Sequence, residues 1–260
     1  MFVETLVLVI YNSSNTQKMK HCLRGKTVLV TGAGWGIGAA TALLYAAYGA
    51  KVIVSDTSRK GGKETMAKIK SQKGSATYIR TDVSDAAACE KLIRRTIEIY
   101  GSIDIACNNS AVFSEPLRPS EGDMESSRNQ VGHSLIGLNN CMQYEIEAMQ
   151  KQGGGVIVNT SSIMGAMGLA SASKYIEAKY GIVTLIQNIS GDHPAIHINT
   201  LAPAFIDTAL LKNMLQKETE GGIKFFPMDT HDTIQDVAGL VLWLSSDETH
   251  LRSTVFNDTN

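Results

Sequence analysis

From Lys26 onward, short apolar runs alternate with longer amphipathic or alanine-rich stretches. Thr27–Val30 is a β-branched run that ends in a glycine-rich turn, and Gly36–Tyr48 has the alanine content of a helix. Lys51–Asp56 (KVIVSD) predicts a second strand, and Ser58–Ser71 an exposed helix with lysines on several faces. Ala76–Asp82 predicts a third strand, Asp85–Tyr100 a helix, and Ile103–Asn108 a fourth strand. Pro116, Pro119 and Gly122 make Phe113–Asp123 a loop. Met124–Gln150 reads as helix, is broken at Gly153–Gly155, and gives way to a fifth strand at Val156–Ser161. A helix over Ser173–Ser190, a sixth strand over Ile196–Leu201, an irregular stretch with a helical piece over Phe205–Pro227 and a helix over Thr233–Ser246 complete the pattern. Strand-length runs alternating with helices imply βαβ units and a parallel sheet. Right-handed crossovers put helices on both faces. The predicted fold class is therefore α/β: one doubly wound domain, mostly parallel sheet, over residues 23–260. Residues 1–22 stand before this pattern as an N-terminal appendage. Their apolar run, Leu6 to Tyr11, is far short of a membrane span. It follows Glu4 and no basic segment, which argues against a signal peptide.

Composition narrows the function class. Apolar residues make up 43% of the 260, enough for a sizeable core. Lys plus Arg number 24 against 25 Asp plus Glu, a formal charge of −1. That balance argues against a nucleic-acid binder and offers no polybasic membrane patch. Cys22, Cys89, Cys107 and Cys141 form no C-x-x-C pair, so reduced thiols in a cytoplasmic protein are expected. His193 and His197 are four apart, but Pro194 disfavours a helix between them, so no metal site is expected.

The first strand runs into Thr31-Gly32-Ala33-Gly34-Trp35-Gly36-Ile37-Gly38, a T-G-x-x-x-G-x-G spacing. Glycines placed after a first strand and opening a helix let the backbone approach a pyrophosphate at the positive helix end. The alternative is a tight strand-to-helix turn with no ligand. Asp56 closes the second strand, where a carboxylate accepts hydrogen bonds from an adenine-ribose diol and repels a 2′-phosphate. No Lys or Arg lies between Gly32 and Gly38, although Arg59 and Lys60 follow Asp56 closely. NAD is favoured over NADP. The competing role for Asp56 is to cap the next helix.

Tyr175 and Lys179 are four apart in a predicted helix and so share a face. Ser161-Ser162 ends the fifth strand, and strand C-termini of open α/β sheets face the ligand crevice. A carbonyl that receives a hydride needs a proton donor at its oxygen. A tyrosine near its usual pKa of about 10 is a poor one at neutral pH unless a neighbouring ammonium lowers it. A second hydroxyl, Ser162, can hold the substrate oxygen. A half-buried structural tyrosine beside a surface lysine is the competing reading.

At this point the chain resembles the short-chain dehydrogenase/reductase family, in its single-domain TGxxxGxG and YxxxK subclass, over roughly Lys26 to Asp247. TGAGWGIG (31–38) is similar to the family's cofactor turn, and Asp82-Val83 to its adenine contact. Asn108-Asn109-Ser110-Ala111 resembles its N-N-A-G, and Pro203-Ala204-Phe205-Ile206-Asp207-Thr208 its P-G-x-x-x-T, whose Thr contacts the carboxamide. Ser162, Tyr175 and Lys179 fall on the catalytic Ser, Tyr and Lys. The resemblance implies a Rossmann-like fold and reversible alcohol–ketone oxidoreduction, with a lysine that also holds the nicotinamide ribose. The cofactor-binding residues it implies are Gly32, Gly34, Trp35, Gly36, Ile37, Gly38, Asp56, Asp82, Val83, Asn109, Tyr175, Lys179, Pro203, Ile206 and Thr208.

The chain departs from the family in places. N-N-A-G has lost its glycine, P-G reads Pro203-Ala204, and V-N-x-x-G reads His133-Ser134-Leu135-Ile136-Gly137, so that Ser134 stands where an Asn holds a relay water. The stretch from Leu185 to Asn199 is about two residues short, and the closing V-D-G-G reads Asn257-Asp258-Thr259-Asn260. The expected function is an NAD(H)-dependent oxidoreductase interconverting a secondary alcohol and a ketone. Ser162, Tyr175, Lys179 and Ser134 are its catalytic set, and the apolar residues Phe113, Met164, Met167, Leu169 and Phe205 are candidates for its pocket. The rival is an NAD-binding pseudoenzyme with an interaction or regulatory role; a sugar-nucleotide epimerase fits the glycine spacing less well. Expected partners are a small alcohol or ketone and further copies of the chain (a dimer or tetramer), with neither nucleic acid nor membrane.

Overall fold

The structure, a computed structural model, describes residues 23–110, 124–161, 181–186, 189–203, 233–246 and 255–257. Its strands are β1 (Thr27–Thr31), β2 (Lys51–Asp56), β3 (Ser75–Arg80), β4 (Ile105–Asn108), β5 (Gly155–Thr160), β6 (Ile196–Ala202) and β7 (Val255–Asn257). Its longer helices are α1 (Gly36–Ala47), α2 (Arg59–Ser71), α3 (Ala86–Tyr100), α4 (Met124–Gln152) and α5 (Ile234–Leu244). Residues 181–186 are also helical, and Ser190–Asp192 makes a 3-10 turn.

All seven strands pair in parallel, in the order β3-β2-β1-β4-β5-β6-β7. Chain order reverses between β1 and β4, the position at which open α/β sheets bind ligands. β1 is TVLVT and every residue of it is buried, as a central strand covered on both faces must be. One face packs Val28, Val30, Val52 and Val54 against Ala42 and Tyr45 of α1, Ile69 of α2, and Val237, Leu240 and Val241 of α5. The other packs Leu29, Ile53, Ala106, Ile157 and Ile198 against Leu92 and Ile93 of α3 and Leu138, Met142, Ile146 and Met149 of α4. Tyr45 Oη and Ser245 Oγ share a 2.6 Å hydrogen bond that ties α1 to the end of α5.

Local signals explain the helix boundaries. Asp85 Oδ1 accepts from the N–H groups of Ala87 and Ala88 at the start of α3. Gly101 closes that helix at φ 93°. Thr233 and Asp236 form a reciprocal capping box at the start of α5.

The alternating pattern yields the doubly wound parallel sheet, with two corrections. The third strand ends at Arg80, so Asp82 lies in the loop before α3 and not on the strand. A seventh strand pairs Val255, Phe256 and Asn257 with Thr200, Leu201 and Ala202. A three-residue strand carries no periodicity to read, and only the neighbouring β6 makes it one.

Candidate active site

The carboxyl ends of successive strands carry the site. β1 ends at Thr31, whose Oγ1 accepts from the N–H groups of both Asn109 and Ser110, each at 3.2 Å. Asn109 Nδ2 donates to Gly32 O at 3.3 Å. The ends of β1 and β4, 77 residues apart for this pair, are thus stitched together by side chains. Gly32 sits at φ 61°, a conformation side chains rarely adopt. A Cβ on Gly38 would lie 2.2 Å from Gly32 O, so the turn closes on itself only because position 38 lacks one.

The turn is also bound to β2. Ala33 N donates to Ser55 O at 3.0 Å. Asp56 is 7% exposed; its Oδ2 accepts from Gly34 N at 2.8 Å and its Oδ1 from Ser58 N at 2.7 Å. Asp56 is not the cap of α2: Ser58 is, accepting from Gly61 N. Tyr78 Oη donates to the Asp56 carbonyl at 3.0 Å, and burial, reinforced by the Asp56 charge, pushes this phenol's pKa up. Helix α1 starts directly behind the turn with no side-chain cap and no acid in its first turn; Trp35, at the cap position, is 66% exposed. Uncapped N–H groups at a positive helix end suit a phosphate. Together with the glycine cradle and a carboxylate at the end of β2, they fit a dinucleotide. The fold brings Gly32, Gly34, Gly36, Ile37, Gly38, Asp56 and Asn109 together at the ends of β1, β2 and β4.

The next corner joins β3 to α4. Asp82 Oδ1 accepts from Ser84 N and Ser84 Oγ at 3.0 and 2.7 Å. Asn140 Nδ2 on α4 donates to the carbonyls of Val83 and Ser84 at 3.0 and 3.3 Å. A Cβ on Gly137 would come within 2.6 Å of Val83 Cγ2, so α4 sits tight on the loop between β3 and α3. Ser134, one turn before Gly137, is buried. Pro203 is buried directly after β6. Ser162, Tyr175, Lys179, Ile206 and Thr208 lie outside the described residues, as do Phe113, Met164, Met167, Leu169 and Phe205.

Comparison with known proteins decides what this arrangement belongs to. A family model for short chain dehydrogenase matches residues 26–219. The chain belongs to the short-chain dehydrogenase/reductase family. Like its relatives it is an oxidoreductase acting on CH–OH groups. A short chain dehydrogenase/reductase of Aspergillus oryzae is 35% identical over 88% of this chain and 91% of its own. A cyclohexanol dehydrogenase of an Acinetobacter species is 30% identical over 88% of this chain and 91% of its own. A 2,5-dichloro-2,5-cyclohexadiene-1,4-diol dehydrogenase of Sphingobium indicum is 32% identical over 86% and 91%. The crystal structure of levodione reductase superposes with a TM-score of 0.84 at 29% identity, over 90% of this chain and 96% of that one. A xylitol dehydrogenase solved with NAD+ shares the fold, with a TM-score of 0.86 at 22% identity over 90% and 98%. Among the described residues no helix is long and apolar enough to cross a membrane.

Several residues of this family site carry no motif in the sequence. Thr31 as a double acceptor, Tyr78 as the support of Asp56, and Asn140 as the clamp on Val83 all depend on contacts between distant segments. Asn140 did leave one signal: it is an amide among the buried positions of α4.

Proposed function

We propose that this short-chain dehydrogenase/reductase uses NAD(H) to interconvert a secondary ring alcohol and its ketone. The observation that carries the cofactor preference is Asp56. Its carboxylate is fixed at the glycine turn by two backbone N–H groups, and no cation stands between Gly32 and Gly38 to receive a 2′-phosphate. The glycine turn, Asp82, Val83 and Asn109 would hold the adenosine and pyrophosphate, and Lys179, Pro203, Ile206 and Thr208 the nicotinamide end. Bound nicotinamide supplies the acceptor or donor of the hydride. Tyr175 gives or takes the proton at the substrate oxygen, Lys179 lowers the tyrosine's pKa and holds the ribose, Ser162 orients the oxygen, and Ser134 anchors a water behind the lysine. The ring-alcohol class rests on relatives named for cyclohexanol, a cyclohexadiene-diol and a hydroxycyclohexanecarboxylate. Residues 23–260 form the oxidoreductase domain, residues 1–22 an appendage, and the working form is a cytoplasmic homo-oligomer.

The test is turnover of cyclohexanol and related ring alcohols with NAD and with NADP, followed by nicotinamide absorbance. NAD should support turnover and bind more tightly in calorimetry. Tyr175→Phe should lower turnover about 10²- to 10⁴-fold while NAD binding persists. Near-normal turnover in that variant refutes the acid/base assignment, and equal or tighter NADP binding refutes the cofactor preference. Ser134 in place of the family's Asn favours the second reading, an NAD-binding pseudoenzyme. Binding of NAD with no turnover across the panel would establish it.

A further inference from the structure

Glu145 lies outside the site described so far, and it is out of place by ordinary rules. It stands on the core face of α4 among Leu138, Met142, Ile146 and Met149, and it is 0% exposed. No cation pairs with it among the described residues. Its Oε2 accepts from Asn108 Nδ2 at 2.8 Å. The same Nδ2 donates to Asn159 Oδ1 at 3.1 Å. Asn108 and Asn159 face each other in register at the ends of β4 and β5, in a row that runs Thr31, Asn108, Asn159, Thr200 across four strands. All four are buried.

What this trio holds is informative. Asn108 is followed by Asn109, which grips both Thr31 and Gly32. Asn159 leads through Thr160 and Ser161 to Ser162, and Ser161 N is bonded to Leu201 O at 2.7 Å. The carboxyl therefore sits beneath the joint between the cofactor turn and the serine-bearing strand. We propose that Glu145 is a positioning residue: it fixes the Asn108–Asn159 amide pair and thereby sets the glycine turn and the end of β5 against each other. The inference rests on the reading of Asn109 and Ser162 as site residues.

Donor counting explains why an acid suits the position. Glu145 Oε1 and Asn108 Oδ1 are buried acceptors that find no donor among the described residues, and Asn159 Nδ2 is a buried donor that finds no acceptor. A buried polar group without a partner is costly. Burial also pushes the Glu145 carboxyl up to about 7, so below that pH it keeps its proton. A protonated Glu145 brings the trio one more donor. Glutamine would bring the same acceptor and donor without a titration; leucine would fill the space and bring neither.

The experiment compares the full chain with Glu145→Leu and Glu145→Gln. The readouts are hydrogen exchange of the unliganded proteins by mass spectrometry, calorimetric NAD affinity, and kcat and KM with cyclohexanol. In Glu145→Leu, exchange should rise about tenfold in segments 31–34, 108–110 and 159–161 and stay unchanged in α1 and α5. Its kcat should fall about tenfold or more, with a smaller change in KM. At about pH 5, where the folded carboxyl keeps its proton, Glu145→Gln should stay within about twofold of the parent in every readout, a rescue that mere space-filling does not predict. If Glu145→Leu does not fold, Asn159→Ala removes the far acceptor and should produce the same local exchange. Parent-like exchange in Glu145→Leu or in Asn159→Ala overturns the proposal. So does a Glu145→Gln chain as damaged as Glu145→Leu. Because exchange is read without ligand, a parent that fails to turn over any alcohol removes the functional reading, while the exchange result still decides the role of Glu145.

Discussion

Two buried carboxyl groups, Asp56 and Glu145, sit on either side of the same sheet switch and meet opposite fates. Asp56 ends a strand beside a turn, where the backbone offers it N–H groups on both oxygens, at 2.8 and 2.7 Å. Glu145 points from the middle of a helix whose own N–H groups are spent on the helix. Among the described residues it receives one donor, from a side chain, and burial pushes its pKa up to about 7. Burial is similar; donor supply differs. A strand end facing a glycine turn meets a carboxyl with backbone donors, whereas a helix interior leaves one to burial, which favours its protonated form. In the proposed roles, the first arrangement serves binding and the second holds strands in place.

The largest expected effect tests the second half of this contrast. The unfolded chain ionises Glu145 near its ordinary value of 4.5, and the folded chain only near 7. Between these values the folded state binds the extra proton, so stability falls as pH rises, by about 1.4 kcal/mol per unit and about 3 kcal/mol in all. Below about pH 4.5 the term vanishes, and above about 7 it levels off. Urea unfolding of the parent and Glu145→Gln at pH 5 and pH 8 should therefore show the variant gaining at pH 8 relative to pH 5. An unchanged difference would break the contrast. Next in size, Asp56→Ala should lower NAD affinity about 10- to 100-fold and narrow the preference over NADP, since hydrogen bonds to a charged group are the strong ones. Calorimetry reads both, and an unchanged preference would place discrimination elsewhere. The smallest effect belongs to Tyr78→Phe, which removes a single bond to the Asp56 carbonyl. It should cost about 1 kcal/mol of stability and change NAD affinity less than Asp56→Ala does.

Much of this contrast's first half is legible in the sequence and little of its second. The glycine spacing, the acid at the end of KVIVSD and the strand–helix alternation lie within short windows, and local physics decides them. Even there, the choice between Asp56 as helix cap and Asp56 as site residue needed the neighbouring Ser58, which takes the capping role. Glu145 and Asn108 are 37 residues apart, and Asn108 and Asn159 51. Their meeting depends on the register of β4 on β5 and on where α4 crosses both. No periodicity encodes that, although a glutamate on an apolar helix face is a visible anomaly. Ser162, Tyr175 and Lys179 lie outside the described residues and are assigned from motif spacing alone, and Tyr175→Phe kinetics are the measurement that reaches them.

Trp35 gives the molecule an optical property as well. The chain has two tryptophans, and this one stands two-thirds exposed at the mouth of the glycine turn, while Trp243 is packed within α5 against the core. Indole emission overlaps the near-ultraviolet band of a reduced nicotinamide, so the turn carries its own energy-transfer donor. Phenylalanine at position 35 would leave Trp243 as the remaining emitter and separate the two contributions, making occupancy of the crevice visible in an unlabelled protein.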